Sequence, residues 1–449
     1  MAILNVKKST PNQRAWYFYD WANSAYVTTT TTVLFGPYLT QIAKDSVGCV
    51  ADATCADLNV LGLPVAPGSL FLYLITFTTI LSALLLPILG AYADLRPNKP
   101  KLMGRLAFIG AAAASMMFFV TGTNWILGSL LLIIGNLALG ASLVVYDAIL
   151  CDIATADERD RVSSRGWAFG YVGGGLLLIV NLGLYLGSSE DFASTAVRIS
   201  LLSAGLWWGL WTLIPYYKIK YVEKDIVNQA SFSHVSRNSF RQLYTTLKEL
   251  AHYPQTRLFL IAYLFFNDGV QTVIASASIY GSEELGLEET DLVGAIIVVQ
   301  IVAVAGALLT GKLATRIGAK RTVLTSLVIW TLVIAMGYFL PSGQALLFFV
   351  LAAAIGFVLG GTQALSRSLF SQLVPKNREA EYFALYQACE RGTSWLGTLA
   401  FGLMFQVFDS YRPAILGLVV FFLVGGYLLR KVNLKQGIEA AGNKVPAVI

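Results

Sequence analysis

The chain has 449 residues, of which 56% are hydrophobic and only 13% charged, and its net charge is +6. A soluble domain carries about 25% charged residues, so the composition excludes an ordinary water-soluble globule. The basic residues are not gathered on one domain, which argues against a nucleic-acid partner and for an integral membrane protein whose solvent is lipid.

Twelve apolar stretches follow one another, near 16–41, 69–93, 102–122, 124–150, 166–187, 194–217, 257–281, 291–313, 321–340, 345–369, 382–407 and 411–430. About 20 apolar residues cross a hydrocarbon core of roughly 30 Å as a helix, which satisfies every backbone group without water. The predicted fold class is therefore an all-α integral membrane protein with twelve transmembrane helices. The opening MAILNVKKSTPNQR is too short and too polar for a secretory signal, so the first span is expected to be retained.

Alternate loops differ in charge. One set carries Lys7, Lys8 and Arg14, then Arg96, Lys99, Lys101 and Arg105, Arg159, Arg161 and Arg165, Lys218, Lys220 and Lys224, Lys312, Arg316, Lys320 and Arg321, Lys376 and Arg378, and Arg430 and Lys431. The other set is poor in cations and holds Glu283, Glu284, Glu288, Glu289 and Asp291 in one connection. The positive-inside bias predicts both termini in the cytoplasm, in a plasma (inner) membrane for a bacterial chain. Cys49 and Cys55 share the first outward loop, where either a disulfide or two free thiols fit. Cys151 and Cys389 read as packing residues. His234 and His252 both lie in the central loop, and no Cys/His cluster suggests a metal.

The chain repeats itself. Sliding it by about 221 positions pairs Gly90 with Gly311, Gly135 with Gly356 and Gly140 with Gly361. The expected organisation is a six-helix half over 1–217, a central loop with an amphipathic helix over 218–256, a second half over 257–431 and a tail over 432–449. Parallel six-helix halves related by an axis along the membrane normal are one transporter architecture. In the central loop, RNSFRQLYTTLKELAHY places Phe240, Leu243, Leu247 and Leu250 at helical spacing, a basic amphipathic helix suited to a membrane surface.

The loop after the second span of each half reads GAYADLRPNKPK and GKLATRIGAKR. Both resemble the G-x-L-A-D-R-x-G-R-R signature of the major facilitator superfamily. Gly311, Leu313, Ala314, Arg316 and Gly318 fit it, with Thr315 in place of the acid; Gly90, Ala93 and Asp94 fit, with Arg96 shifted by one. A carboxylate such as Asp94 at a helix end can accept N–H groups from a neighbouring helix N-terminus. The resemblance implies a gate formed by Gly90, Asp94, Arg96, Gly311 and Arg316 that holds the cytoplasmic side shut. RAWYFYDWANSAY, DERDRVSSRGWAFGYVGG and FFNDGVQT are similar to one branch of that superfamily, the autophagy-related vacuolar amino-acid effluxers and their bacterial relatives. That resemblance implies export of a small solute, with amino acids the leading class.

Charges inside the spans need partners or a wet cavity, because each costs at least about 2.5–3.5 kcal/mol at mid-membrane. Asp20, Asp147, Asp268 and Glu390 fall inside spans. At about 1.5 Å per residue, Asp268 lies roughly 16 Å beyond Arg257 and Asp20 roughly 9 Å beyond Arg14. Asp268, with Asp20 in reserve, is thus the expected proton carrier. Asp20, Asn23, Ser24, Tyr146, Asn267, Asp268, Gln271 and Gln363 are the expected substrate-binding set, on the spans that line the superfamily's cavity. Adjacent Glu390 and Arg391 join the gate, with Arg391 open to pairing with another carboxylate or with that of a substrate. Trp16, Tyr17, Trp21, Trp207, Trp208 and Trp211 read as interfacial or packing aromatics.

No G-x-x-x-x-G-K-[ST] occurs, and neither HExxH nor a paired His/Asp, so neither an ATP-driven pump nor an enzyme is expected. The reading is a secondary transporter exporting a small solute by alternating access, with proton coupling as a subsidiary expectation. It needs no cofactor and no metal, and is expected to be a monomer among membrane lipids with a small-molecule substrate. A lipid or lysolipid translocator on the same fold, or a non-transporting receptor, are the alternatives.

Overall fold

The computed structural model describes residues 8–49, 56–220, 239–392 and 394–449. The first helix, α1, starts at Pro11, where the Thr10 hydroxyl accepts the Gln13 N–H and the Gln13 side chain accepts the Thr10 N–H. This reciprocal cap, with proline at the first helical position, fixes where the helix begins. It runs as an α-helix over Pro11–Ala25, as a π-helix over Tyr26–Leu34, and again as an α-helix over Phe35–Ser46. Thr28 and Thr31 bond back to the carbonyls of Ser24 and Val27, at 2.8 Å each, as threonine hydroxyls in apolar helices usually do.

The first half continues with α2 (Leu70–Asp94), α3 (Lys99–Met116), α4 (Trp125–Ile153), α5 (Arg159–Leu186) and α6 (Glu190–Lys218). The second comprises α7 (Pro254–Ile279), α8 (Glu289–Ile317), α9 (Ala319–Tyr338), α10 (Ala345–Leu373), α11 (Glu379–Gly392 and Ser394–Phe408) and α12 (Tyr411–Gly417 and Val419–Lys431). Ten of these segments are long and apolar enough to cross a membrane. The segments α1 and α11 fall outside that group. The middle of the first is diluted by polar residues, the threonine run among them, and the second includes residue 393, which lies outside the described residues.

Hydropathy locates the oily part of each helix, and the helices extend beyond it. The largest difference is at α5, which starts at Arg159 although its apolar run starts at 166. Its first two turns are polar because they face the other half of the molecule and not lipid.

Three connections depart from what hydropathy can show. A short hairpin pairs β1 (Leu58–Val60) with β2 (Leu63–Val65), turning through Leu61 and Gly62, both at positive φ. Such two-residue turns suit the twist of an antiparallel pair. Cys49 before it is disulfide-bonded, and Cys55 lies outside the described residues. Helices α8 and α9 are joined by Gly318 alone, at φ 90°, a conformation L side chains rarely adopt. The central-loop helix spans Ser239–Leu250, with Leu250 buried and Tyr244 and Leu247 exposed.

One face of the bundle gathers the loops rich in lysine and arginine, and is called the basic face below. The tail lies across it. Its short helix Leu434–Ala440 is capped by Asn433; Asn443 then donates to the carbonyls of Gln372 (2.9 Å) and Val374 (2.7 Å) in the second half. Ala447 N–H donates to Asp157 of the first half at 2.7 Å, so the tail touches both. The interior is rich in aromatics, with Trp16, Trp208, Trp330, Tyr146 and Tyr263 fully buried.

Candidate functional site: a charged seam between the halves

Hydrogen bonds between the halves gather toward the basic face, and three layers of them stand out. The outermost layer is built on α2. Asp94 at its end accepts the N–H groups of Ala380 (3.0 Å) and Glu381 (2.9 Å), the first turn of α11. The carboxylate thereby satisfies orphan donors and meets the positive end of the helix dipole. Lys99 is buried among Asp94 (3.1 Å), Glu379 (3.2 Å) and Asp152 (3.8 Å). Gly90 permits this approach, since a Cβ there would collide with the carbonyl of Ala380. From outside, Arg378 pairs with Glu381 at 2.8 Å and with Glu249 of the central-loop helix.

The repeat-related corner is built differently. Gly311 lets α8 pack on Ser164 of α5. Thr315 donates to Lys312 O of its own helix at 2.8 Å. Arg316 is exposed and makes no hydrogen bond or ion pair with a described residue. In the first half Arg96 folds back over the ring of Tyr92, 4.2 Å from its centroid. Of the expected gate residues in these two loops, Gly90, Asp94 and Gly311 stand in the seam, whereas Arg96 and Arg316 do not cross it. Lys99 supplies the cation there.

The middle layer is centred on Arg367 of α10, which is 3% exposed, a depth that forces its charge to be met by protein groups. Its guanidinium reaches Asp20 of α1 (3.1 Å) and Asp147 of α4 (3.4 Å), and its Nε donates to the Ser163 hydroxyl of α5 at 2.9 Å. Trp16 and Tyr146 stack 4.2 Å apart, and Arg367 lies 4.9 and 5.3 Å from their centroids. Three helices of one half thus converge on a single cation of the other. On α11, Gln387 donates to Asp147 at 2.9 Å and carries the network deeper.

The innermost layer is called the floor of the seam below. Gln387 also donates to Glu390 (3.1 Å) and accepts from Arg391 (3.3 Å), both half-buried. The Arg391 Nε comes within 3.9 Å of where a Cβ on Gly140 of α4 would stand. Asn267 donates to the Glu390 carbonyl (3.1 Å) and accepts from Gln363 (3.0 Å). Gln271 is half-buried one turn further along α7.

The other expected site residues lie elsewhere. Asp268 is fully buried, and its carboxylate accepts the Gly397 N–H of α11 at 2.8 Å within the second half. Asn23 is buried and bonded to Tyr19 O of its own helix at 2.6 Å. Ser24 lies in the α1–α5 contact against Gly170. Asp20 and Tyr146 meet at Arg367, and Asn267 and Gln363 meet at Glu390. Lys99, Asp147, Arg367 and Gln387 complete the seam and were absent from the expected set. A signal for one existed: Arg367 stands at the same interval from Tyr146 as Gly311 from Gly90.

Two six-helix halves meeting on such a seam define a transporter of the major facilitator type. Solved structures agree on the fold. The proton:xylose symporter XylE superposes with a TM-score of 0.67 at 12% identity, covering 94% of this chain and 95% of that one. The human organic anion transporter MFSD10 gives 0.66 at 13%, covering 93% and 99%. The family described as vacuole effluxer Atg22 like matches residues 8–442, and the chain belongs to it. The uncharacterized MFS-type transporter YxiO of Bacillus subtilis (strain 168) is 32% identical over 428 residues, 94% of this chain and 95% of that protein. Autophagy-related protein 22 of Saccharomyces cerevisiae (strain ATCC 204508 / S288c) is 23% identical over 495 residues, 96% and 93% of the two.

The seam makes two predictions. A hydrogen bond to a charged group contributes about 1.5–3 kcal/mol, so Asp94→Ala is expected to open the basic face more often, by roughly tenfold or more. Native Cys151 is a reporter, since it lies half-buried against Ser371 across the seam. In a Cys389→Ser background its maleimide labelling, mapped by mass spectrometry, should accelerate; an unchanged rate would remove Asp94 from the closure. Arg367→Gln leaves two buried carboxylates without their cation and is expected to cost about 3–5 kcal/mol. Adding Asp20→Asn should restore part of the lost thermal stability, and strict additivity of the two changes would mean that the pair is not coupled.

Proposed function

We propose that this transporter exports a small zwitterionic solute, an amino acid, by alternating access, with its basic face in the cytoplasm. The observation that carries this reading is the side-by-side placement of Glu390 and Arg391 at the inner end of the seam. Both are half-buried, and the neighbouring groups Asn267, Gln363 and Gln271 are neutral and polar. Adjacent residues on a helix diverge, so one end of a small molecule can meet a guanidinium while the other meets a carboxylate. Arg391 would take the α-carboxylate and Glu390 the α-ammonium. Binding there competes for the bonds both make to Gln387, and Gln387 in turn holds Asp147 beside Arg367. Loading the floor therefore loosens the seam, which is the link alternating access requires. The family's description as vacuole effluxer Atg22 like supports movement of a small solute across a membrane by analogy.

Charge counting supports proton coupling in the middle layer. Two carboxylates, Asp20 and Asp147, face one guanidinium, Arg367, so the fully ionised cluster carries one negative charge in excess. One proton added to this pair of carboxylates balances the cluster and frees one arm of Arg367, and Asp20, with the shorter contact, is the first candidate to test. Asp268 is the second candidate, because its buried carboxylate has no ion-pair partner among the described residues.

Purified protein in proteoliposomes, loaded with labelled amino acids and given a pH gradient, tests both steps. Arg391→Gln is expected to weaken substrate competition by tenfold or more without lowering the melting temperature as Arg367→Gln does. If no amino acid is moved or competes, the substrate assignment fails. Asp20→Asn should keep substrate exchange while losing acceleration by the gradient, and Asp268→Asn should keep both. The reverse pattern would move the coupling site to Asp268.

A further inference from the structure

The repeat leaves one cation without an acid. Lys320 stands at the same interval from Lys99 as Gly311 from Gly90, so the two lysines are structural counterparts. Lys99 is neutralised by Asp94, Asp152 and Glu379. Thr315 occupies the position equivalent to Asp94, and the Lys320 ammonium donates instead to the carbonyls of Arg430 (2.9 Å) and Val432 (2.7 Å). Carbonyl oxygens satisfy N–H donors but do not cancel the charge. Lys320 opens on a cavity of about 520 Å³ between the ends of α9 and α12, and Arg321, Arg430, Lys431 and Lys435 line the same cavity. No Asp or Glu side chain lines it, the one carboxyl oxygen at its edge is that of Ile449 against Gly318, and none of the five cations is in an ion pair with a described residue. The first turn of α9 adds the positive end of a helix dipole.

We propose that this cavity is a binding site for a phosphate-bearing anion, the headgroup of an anionic membrane lipid. The lipid source follows from what adjoins the cavity. Leu324 forms part of its wall, and the exposed flanks of the same two helices continue away from it as Val328, Leu332, Leu423 and Val420. A phosphodiester held by the cations therefore has an apolar surface beside it for its acyl chains. Basic pockets between helices on the cytoplasmic side are known to take such headgroups. The bound anion replaces in the second half the carboxylates that Lys99 finds in the first.

The test uses full-length protein in detergent, with thermal unfolding and native mass spectrometry as readouts. The probes are dioleoylphosphatidylglycerol, phosphatidylcholine with the same chains, and inorganic phosphate. The variant Arg430→Gln/Lys435→Gln removes two exposed cations and keeps the carbonyl that Lys320 uses. Arg105→Gln/Lys218→Gln removes two exposed cations from the corresponding corner of the first half. Phosphatidylglycerol is expected to raise the melting temperature of wild type and of the first-half variant by several degrees more than phosphatidylcholine. The cavity variant should lose at least half of that difference and retain fewer copies of the lipid. Inorganic phosphate reproducing the full shift would keep the site and reassign its source to a soluble phosphate. Equal losses in both variants, or none in the cavity variant, would overturn the proposal.

Discussion

A guanidinium taken out of water has to be answered by opposite charge, and most of this architecture follows from where that answer comes from. Arg367 belongs to the second half, while both of its carboxylates belong to the first. Arg367 pairs with no carboxylate of its own half among the described residues, so the halves are held together by charge and not by apolar contact alone. Lipid tails are as apolar as leucine and give two helix bundles no hydrophobic reason to associate. The aromatic rings around Arg367 strengthen the arrangement, because Trp16, Tyr146 and Trp167 surround it with π faces and keep water away.

The same need explains why the polar contacts gather toward one end. Asp94 and Lys99 seal the rim, Arg367 the middle and Gln387 the floor, and Gln387 joins the last two through Asp147. On the alternating-access reading, such a chain can be released from either end: by a solute competing for Gln387's partners on the floor, or by a proton on a carboxylate. Gln387 suits this intermediate position. As a neutral amide it donates to two carboxylates and accepts from Arg391 without adding a charge that would need its own counterpart.

The helices were largely legible in the sequence, because spanning a membrane needs a fixed length of apolar chain and each span meets that need locally. Depth was legible too, since counting residues along a helix measures distance from its end. Direction around the helix axis was not. Asn267 and Asp268 are neighbours in sequence, yet one faces the floor and the other is tied to Gly397. Only the positions of α10 and α11 decide which is which. The loop signature located Asp94 and Gly90 but could not show that Arg96 turns back onto Tyr92. Arg367 was visible as a charge in an apolar span; its partners lie on α1 and α4, far away in the chain.

The π stretch of α1 has a mechanical meaning. An i→i+5 turn interrupts the ordinary hydrogen-bond ladder, and helices bend most readily where that ladder is interrupted. A second such stretch, Tyr280–Glu284, extends α7 at its end away from the basic face. The two helices that supply Asp20 and Asn267 are thus stiff where they carry those side chains and compliant further out. Compliance placed there lets the far end of each helix swing while its near end keeps its register. The bundle is hinged like tongs, with the grip and the flexible arms in different parts of the same rods.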